Sequence, residues 1–354
     1  MLFLSFTYNR LNMSEETQTD RLIEPRAEKD EVVLDLTLRP QHLSDFVGQE
    51  QLKQNLIISI QAAKKRDEPL EHILLSGNPG LGKTTLASII AREMGTSIKI
   101  TSGPALEKVG DLAAILSNLQ TGEILFIDEI HRMNKSIEEI LYPALEDYSL
   151  DIILGKGPAA RSIRLPLNHF TLIGATTKLG MISNPLRDRF GHAYHLNFYE
   201  PGEIEKIILR NAGILSVPID DESMKLISSR ARRTPRIANR LLKRIRDVAE
   251  VEGTGKIDKK ITQRSFGMLG IDEYGLDETD RRILTTMIEK FSGGPVGLNT
   301  IAAACAEEMD AIETIYEPFL LQIGFLERTP RGRKATPLAY THLGFPVPKA
   351  QTLL

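Results

Sequence analysis

Between Leu38 and Tyr199, short apolar runs alternate with longer amphipathic stretches. The runs HILLS, IKI, EILFID, FTLIGAT and AYHLNF are bounded by polar or glycine-containing segments. Near-continuous apolar runs are typical of strands that are buried on both faces, and the stretches between them repeat apolar positions at helical spacing. The pattern predicts an α/β domain over residues 38–199, with a parallel sheet covered by helices.

After Tyr199 the strand-like runs disappear and helical patterns continue. Residues 200–272 are expected to form a small helical lid domain. Residues 273–354 open with IDEYGLDETDRRIL, in which Asp277 suits a helix N-cap, and contain the basic segment GFLERTPRGRKAT. Their order of helix, turn, helix, helix and basic hairpin predicts a winged helix.

The first residues of the chain have a different composition. The segment MLFLSFTYNRLN has only a short apolar part, with no basic region before it and no cleavage site, so a signal peptide is not expected and Met13 is a candidate start. The following segment, up to about Glu31, is polar and charged, which is typical of a mobile tail. We therefore expect residues 1–37 to be a partly mobile N-terminal extension.

Composition narrows the class of protein. The chain of 354 residues is 42% hydrophobic and 26% charged, carries a net charge of −3 and contains one cysteine, Cys305. No run approaches the about 18 apolar residues that a membrane span requires. These features favour a cytoplasmic protein with no membrane contact, in which any DNA contact must be local.

The segment GNPGLGKT matches the phosphate-binding loop pattern. Gly82 is part of this pattern; the backbone N–H groups of such a loop and of the following helix N-terminus bind phosphate oxygens, and Gly80 helps the backbone close around the anion. Lys83 is expected to reach the β- and γ-phosphates, and Thr84 is expected to bind Mg²⁺. The sequence therefore predicts that the protein binds ATP.

A second motif predicts hydrolysis. EILFIDEIHRM ends a predicted buried strand with adjacent acids, Asp128 and Glu129. Asp128 is expected to help hold Mg²⁺, and Glu129 to orient or deprotonate the attacking water. Behind a phosphate-binding loop, this pair indicates an ATPase and not a protein that only binds nucleotide.

Further polar residues follow in the same domain and the next. Either Thr176 or Thr177, at the end of FTLIGATT, could place a hydroxyl beside the γ-phosphate. NPLRDRFG offers Arg187 and Arg189, and TPRIANR places Arg236 at a helix start. An arginine there opposes the helix dipole, which suggests that a phosphate compensates it.

The segments GNPGLGKTTLA, LFIDEIHR, GATT, NPLRDRFG and TPRIANR, in this order, resemble AAA+ ATPases. With RPQHLSDFVGQ, YPALEDYSLDIILGKGPAARSIRLPL and GFLERTPRGRKAT, the chain is similar, from about Asp20 to Phe345, to the AAA+ family of Holliday junction motors. The resemblance implies ATP-dependent branch migration in recombination, DNA repair and the SOS response to DNA damage. It also implies a homohexameric ring with ATP between subunits.

The resemblance assigns roles to particular positions. Lys83, Thr84, Thr85, Asp128 and Glu129 belong to one subunit's site, and Arg189 is implied to be an arginine finger that reaches the neighbouring subunit's γ-phosphate. The other residues that the resemblance or the motifs place near the nucleotide are Leu38, Arg39, Gly80, Gly82, Glu146, Asp147, Tyr148, Thr177, Tyr199 and Arg236.

Two segments suggest binding surfaces. LDIILGKGPAARSIRLPL alternates apolar and polar residues around glycines and a proline, which predicts a β-hairpin. By resemblance the hairpin docks on a junction-binding partner through its apolar side chains, and a junction resolvase is a further candidate partner. In ERTPRGRKAT, Arg328, Arg331 and Arg333 are expected to contact duplex DNA at four-way junctions, mainly through phosphates.

Some questions stay open at this level. The chain has Arg233 where the family usually has glycine, which would cost on the order of 1 kcal/mol if the position has a positive φ. Two rival functions also remain: a clamp-loader-like switch that opens a ring, and an initiator or remodelling adaptor that uses ATP only as a conformational ligand. The hairpin argues against the first rival, and Glu129 argues against the second.

Overall fold

The structure is a computed structural model that describes residues 37–154 and 161–348. The chain divides after Arg39 into two units. The first unit contributes Thr37, Leu38 and Arg39 to the description, and Leu38 is buried. The rest of the expected N-terminal extension, the tip of the predicted hairpin at residues 155–160, and residues 349–354 lie outside the described residues.

Most strands of the large domain form one parallel sheet. The strands are β1 (Ile73–Ser76), β2 (Ile98–Ser102), β3 (Ile124–Asp128), β4 (Ser149–Leu154), β5 (Arg161–Pro166), β6 (Thr171–Thr176) and β7 (His192–His195). The sheet has five strands in the order β2-β3-β6-β1-β7, and every neighbouring pair is parallel. Each apolar run of the sequence lies on one of these strands, so the predicted parallel sheet is confirmed.

Helices cover the sheet on both faces. They are α1 (Glu50–Arg66), α2 (Lys83–Met94), α3 (Val109–Ser117), α4 (Lys135–Glu146) and α5 (Asn184–Arg187), with short 3₁₀ turns at Leu43–Asp45, Gly103–Ala105, Ile130–Arg132 and Leu179–Met181. The apolar side chains of α2 pack with those of β1 in one cluster, and those of α3 and α4 pack with β3 in another. Each fully buried leucine or isoleucine contributes about 1.5–3 kcal/mol to folding, which explains why the central positions of these strands are apolar.

Register places the carboxyl ends of three strands at one edge. Ser76 of β1 lies opposite Thr176 of β6, and Ile127 of β3 lies opposite Gly174 of β6. The polar residues that follow or end these strands therefore meet at this edge. In open α/β sheets, ligands bind outside the carboxyl ends of the strands.

A hairpin projects from the large domain. Strands β4 and β5 pair with each other in antiparallel register, from Ser149 opposite Pro166 to Leu154 opposite Arg161. The predicted β-hairpin is thus present, although the segment GPAAR at its tip falls mostly in the residues outside the description.

Two smaller helical regions complete the chain. The lid helices are α6 (Pro201–Ile214), α7 (Asp221–Arg230), α8 (Pro235–Glu252) and α9 (Lys259–Leu269). Their buried side chains, such as Leu241 and Ile245 of α8, join the apolar cluster on the α2 face of the sheet.

Within the described ranges, no helix combines the length and the apolar character needed to cross a membrane.

The last region is a winged helix with its own apolar core. Its elements are α10 (Glu278–Phe291), α11 (Leu298–Cys305), α12 (Met309–Ala311), a π-helical turn (Ile312–Tyr316), α13 (Glu317–Gln322), β8 (Leu326–Thr329), β9 (Gly332–Ala335) and α14 (Pro337–His342). Asp277 caps α10 by accepting a hydrogen bond from the Asp280 amide at 3.0 Å, as predicted. Strands β8 and β9 form the antiparallel wing.

Candidate functional site

The loop between β1 and α2 has the backbone shape of a phosphate cradle. Gly77, Gly80 and Gly82 have φ angles of +140°, +80° and +101°, in the region that favours glycine. A Cβ atom on Gly77 would lie 2.7 Å from the Leu196 carbonyl oxygen, so a larger residue cannot occupy that position unchanged. The loop leads directly into the N-terminus of α2, where unpaired N–H groups attract anions.

Lys83 is buried at this N-terminus without an ionic partner. Its Nζ donates hydrogen bonds to the carbonyl oxygens of Gly77 at 2.7 Å and Asn78 at 3.0 Å. Among the described residues it forms no salt bridge. Burial lowers the pKa of Lys83 to about 8, an effect that the charge of Asp128 partly opposes. The buried ammonium is therefore destabilised, and an anion in the cradle would stabilise it.

Thr84 and Asp128 lie together at the edge of the sheet. The Thr84 hydroxyl donates to Asp128 Oδ2 at 3.2 Å, and Asp128 Oδ1 accepts from the Glu129 amide at 2.9 Å. Thr85, one position further along α2, is half-buried. A hydroxyl and a carboxylate in contact supply the oxygen ligands that Mg²⁺ prefers.

Glu129 follows β3 in a left-handed backbone conformation, with φ of 46°. A non-glycine residue in this conformation is uncommon and costs on the order of 1 kcal/mol. Its carboxylate forms an ion pair with Arg132 at 2.8 Å, across the 3₁₀ turn that follows. The predicted catalytic acid is thus held by a neighbouring arginine that the sequence analysis did not single out. The sequence did contain one sign of this ion pair: Glu129 and Arg132 are three residues apart, a spacing at which side chains meet on a helical turn.

The two candidate threonines at the end of β6 differ in their surroundings. Thr176 is buried, and its hydroxyl accepts from the Lys178 amide and contacts His131 Nδ1, each at 3.0 Å. Thr177 is half-buried next to it. Since internal hydrogen bonds occupy the Thr176 hydroxyl, Thr177 is the more available group for a ligand.

Lys178 connects this edge to the winged helix. Its Nζ contacts Asp310 at 2.7 Å and Glu313 at 2.8 Å, on α12 and the π-helical turn. The hydrogen bonds of these two carboxylates raise the pKa of Lys178 above its usual value. A polar contact with the winged helix, which is the candidate DNA-binding domain, therefore lies two residues after the end of β6.

The lid, and Tyr199 directly before it, pack on the phosphate-binding loop. The Tyr199 hydroxyl donates to the Leu81 carbonyl at 3.2 Å. The Arg236 amide lies 3.4 Å from the Gly80 carbonyl oxygen, and a Cβ atom on Gly80 would be 3.0 Å from Arg236 Cβ. The Arg236 side chain is exposed, and its charge contributes to the lowered pKa of Lys83. The structure therefore places Tyr199 and Arg236 at the loop.

The Arg189 side chain makes its described contacts away from the phosphate-binding loop. Its guanidinium pairs with Glu146 at 3.0 Å and lies 4.5 Å above the centre of the Tyr142 ring. Its Nε is buried and has no hydrogen-bond partner among the described residues. None of its described contacts is with Lys83 or the phosphate-binding loop, so the structure does not bring Arg189 to its own subunit's site.

Asp147 and Tyr148 support the base of the hairpin. Asp147 forms an ion pair with Arg164 of β5 at 2.6 Å, and the Tyr148 ring stacks on His169 with the ring centres 3.9 Å apart. These contacts do not involve the phosphate-binding loop. Leu38 and Arg39 belong to the first unit. The nucleotide-binding roles of these residues remain predictions.

Arg233 has the backbone conformation that favours glycine. Its φ is 54°, and the preceding Arg232 has a φ of 50°. Arg233 Nε donates to the Tyr199 carbonyl at 2.8 Å, and its guanidinium pairs with Glu200. Arg232 is buried and pairs with Asp277 at 2.9 Å and with Asp280. The expected strain at Arg233 is therefore present, next to a second strained arginine.

The wing carries the candidate DNA-binding arginines. Arg328 and Arg333 face each other across β8 and β9, and both contact the buried carboxylate of Glu317. Arg331, in the turn between the strands, is exposed and has no ion pair in the described part of the chain. Glu317 was missed from the sequence because a single glutamate before a proline gives no sign of burial.

Comparison with known proteins adds three adjacent matches. Residues 38–196 match the family model for the Holliday junction DNA helicase RuvB P-loop domain. Residues 199–272 match the RuvB AAA lid domain, and residues 273–344 match the RuvB C-terminal winged helix domain. Together the matches span nearly all described residues, and they confirm the predicted fold class.

Curated relatives and solved structures agree with these matches. The chain is 59% identical to the Holliday junction branch migration complex subunit RuvB of Dehalococcoides mccartyi, over 94% of this chain and 95% of the relative. It is 56% identical to the subunit of the same name from Chloroflexus aggregans, over 93% and 94%. The structure of the Thermotoga maritima RuvB Holliday junction branch migration motor is 50% identical, with a TM-score of 0.81, covering 88% of this chain and 99% of that one.

Proposed function

The chain belongs to the RuvB family, and from that membership we propose that it is an ATP-hydrolysing motor that drives branch migration of Holliday junctions. The observation that carries the proposal is Lys83, a buried cation whose hydrogen bonds within the described ranges go to carbonyl oxygens, beside the Thr84 and Asp128 pair. A strongly perturbed charged group in a cradle of backbone N–H groups is typical of a phosphate site. The winged helix on the same chain supplies a surface for duplex DNA.

Thr84 and Asp128 fit a magnesium ion, because their oxygen atoms already lie in contact at the helix N-terminus. When bound with ATP, magnesium neutralises charge that develops on the phosphates during phosphoryl transfer. Lys83 exchanges its hydrogen bonds to Gly77 and Asn78 for bonds to the β- and γ-phosphates. The cost of burying the ammonium is then offset by the anion.

Glu129 is the residue that we expect to orient the attacking water. In the described part of the chain Arg132 pairs with Glu129 Oε2, which leaves Oε1 to accept a hydrogen bond from that water. Thr177 places its hydroxyl near the γ-phosphate in this proposal. Tyr199 and Arg236 transmit the nucleotide state to the lid, because both contact the loop.

Arg189 acts on the ATP of a neighbouring subunit in a homohexameric ring. Two observations support this part of the proposal: its described contacts lie away from its own phosphate-binding loop, and its buried Nε has no partner among the residues that the structure describes. Hydrolysis then changes how one subunit's lid packs on the next subunit. In the proposed ring, the nucleotide site also includes Leu38, Arg39, Glu146, Asp147 and Tyr148.

The hairpin is the proposed docking site for a RuvA-like junction-binding protein. Ile163 and Leu165 of β5 are 49% and 36% exposed, and apolar side chains on a projecting hairpin favour a protein partner. A RuvC-like resolvase is a further proposed partner. The same proposal places the motor in the cytoplasm, in recombination, DNA repair and the SOS response.

ATP-driven separation of a synthetic four-way junction tests the function. The assay compares the wild type, with and without the RuvA-like partner, with Glu129→Gln and Arg189→Ala. We expect product that requires ATP, increases with the partner and is lost in both variants. If the wild type hydrolyses ATP with its partner present but leaves the junction intact, the motor proposal is wrong and a clamp-loader-like switch is favoured.

A mixing experiment tests the shared site. Glu129→Gln and Arg189→Ala subunits, combined in equal amounts, can form interfaces that contain both an intact Glu129 and an intact neighbouring Arg189. We expect the mixture to recover part of the ATPase activity that each variant lacks alone. No recovery in rings that are shown to contain both subunits would contradict action across the interface.

A further inference from the structure

Glu317 is a fully buried acid beneath the wing. It begins α13, directly after the π-helical turn, and its side chain has 0% exposure. Arg328 Nε donates to its Oε1 at 2.6 Å, while Arg333 donates to Oε1 at 3.0 Å and to Oε2 at 3.1 Å. One carboxylate therefore holds an arginine from each strand of the wing.

The pairing register of β8 and β9 places both arginines next to Glu317. Arg328 and Arg333 are direct partners across the antiparallel pair, so their side chains leave the same face of the wing. Glu317 occupies the inner side of both guanidinium groups. The hydrogen bonds to Glu317 use Nε of Arg328, and Nε and Nη2 of Arg333, which leaves both Nη groups of Arg328 and Nη1 of Arg333 for other partners.

Both arginines keep an exposed fraction beside the buried acid. The Arg328 side chain is 56% exposed and that of Arg333 is 20% exposed. A guanidinium group presents its donors in a rigid fork, so fixing its inner donors also fixes the direction of its outer ones. An arginine that is already ordered loses less rotamer freedom when it binds a phosphate.

We propose that Glu317 is a positioning residue for DNA binding, which orders Arg328 and Arg333 so that their free N–H groups meet duplex phosphates. The inference rests on the proposed function, because it takes duplex DNA as the ligand. Glu317 contacts no DNA itself. Arg331, which the carboxylate does not hold, contributes a more mobile positive charge at the turn.

Two roles for Glu317 predict opposite results. A residue that only neutralises the arginines would weaken DNA binding, so its removal would strengthen binding and steepen the salt dependence. A residue that positions them would strengthen DNA binding, so its removal would weaken binding and flatten the salt dependence, because fewer phosphates are contacted.

The test measures binding of the full-length protein to a fluorescent duplex at salt concentrations from about 0.05 to 0.2 M. For Glu317→Gln we expect about tenfold weaker binding, from the ordering of two arginine side chains, and a slope of log K against log salt that is less steep by about one. The matched control is Glu327→Gln, which removes one charge from an exposed position of β8. We expect its affinity and slope to stay near those of the wild type.

A second variant covers the case in which Glu317→Gln does not fold, as judged by thermal unfolding. The double substitution Arg328→Lys and Arg333→Lys keeps Glu317 and both positive charges but removes the rigid forks. We expect it also to bind more weakly than the wild type. Unchanged or tighter binding by this variant, or by a folded Glu317→Gln, overturns the inference while leaving the proposed function intact. A wild type that binds no duplex overturns both.

Discussion

Lys83 and Glu317 are both buried charged residues, yet their surroundings differ in one respect. Lys83, at the phosphate-binding loop, donates to two backbone carbonyl oxygens and forms no salt bridge in the part of the chain that the structure describes. Glu317, under the wing, accepts from two arginines. Burial lowers the pKa of Lys83 to about 8, against its ordinary value of 10.5. Burial also opposes the charge on Glu317, but Arg328 and Arg333 outweigh it and hold the pKa of Glu317 below its usual value.

The presence or absence of a counter-charge distinguishes a ligand-binding residue, such as Lys83, from a structural one, such as Glu317. A buried charge without a counter-charge lowers the stability of the empty protein, and it is retained because a ligand supplies the missing charge. A buried charge with its partners in the same chain needs no ligand, and it fixes the groups around it. Removing Lys83 should therefore mainly affect function, whereas removing Glu317 should also affect stability.

The largest expected effect is on ATP hydrolysis. We expect Lys83→Met to reduce the hydrolysis rate at least about 100-fold, because the charged donor to the β- and γ-phosphates is lost. The free energy of unfolding without nucleotide should not fall, since a destabilised buried ammonium is removed. Steady-state ATPase assays and urea unfolding measure the two quantities.

Lys53 provides the control for this substitution. Its Nζ also donates to a backbone carbonyl, that of Phe46 at 2.8 Å, but it has an ionic partner in Glu50. Lys53→Met should leave hydrolysis near the wild-type rate. A clear loss of stability in Lys83→Met would show that the lysine is a structural residue and would remove the contrast with Glu317.

The next effect is on stability. We expect Glu317→Ala to lower the free energy of unfolding by about 2–3 kcal/mol, because it leaves two arginines, one of them largely buried, without their counter-charge. Glu327→Ala on the same wing should change it by less than about 0.5 kcal/mol, as is usual for exposed positions. Urea unfolding of the full chain measures both. Equal effects would mean that the buried carboxylate adds nothing to the fold.

The same contrast explains what the sequence could predict. The phosphate-binding loop, Asp128 and Glu129 are recognisable because each motif is a short contiguous segment next to an apolar strand. The parallel sheet follows from the apolar runs, and the cap at Asp277 follows from local spacing. In each case the residues that interact are close in sequence, so periodicity and motif spacing contain the information.

Contacts between distant segments could not be predicted in this way. Lys178 meets Asp310 and Glu313 across the boundary between the large domain and the winged helix, at separations of 132 and 135 residues. Glu317 meets arginines on two strands whose pairing must be known first. An arginine-rich segment therefore gives the same sequence signal whether its charges are free or held by a buried acid.

The affinity for ATP is expected to depend on pH, and the size of this effect is intermediate among those predicted. Burial lowers the pKa of Lys83 to about 8, so its charge is present below that pH and is lost above it. The affinity for ATP should therefore fall above pH 8, by up to about tenfold per pH unit while bound phosphate keeps the lysine protonated. Titration of a fluorescent ATP analogue from about pH 7 to about pH 9.5 measures the change.

Lys83→Met gives the baseline for this titration, because it has no proton to lose at that position. Its weaker binding should show little change over the same range. A wild-type affinity that stays constant through pH 9 would mean that Lys83 keeps its proton in the empty site, and the description of it as a destabilised cation would be wrong.

The smallest effect is expected at Arg233, where the contrast recurs between neighbouring residues. Arg232 and Arg233 have φ angles of 50° and 54°, but Arg232 is buried with Asp280, whereas Arg233 pairs with Glu200, which is 70% exposed. Arg233→Gly removes on the order of 1 kcal/mol of backbone strain. It also loses an exposed ion pair worth at most about 1 kcal/mol and the hydrogen bond from Nε to the Tyr199 carbonyl, and glycine adds entropy to the unfolded chain.

The relief of strain offsets part of these losses, so Arg233→Gly should lower the free energy of unfolding by about 1 kcal/mol. Arg232→Gly relieves similar strain but leaves Asp280 buried without its partner, so it should cost about 2 kcal/mol or more. Urea unfolding of the two variants side by side separates strain from ion pairing. If both variants lose the same free energy of unfolding, the left-handed backbone conformation determines the effect at these positions. The burial of the ion pair would then make no difference between Arg232 and Arg233.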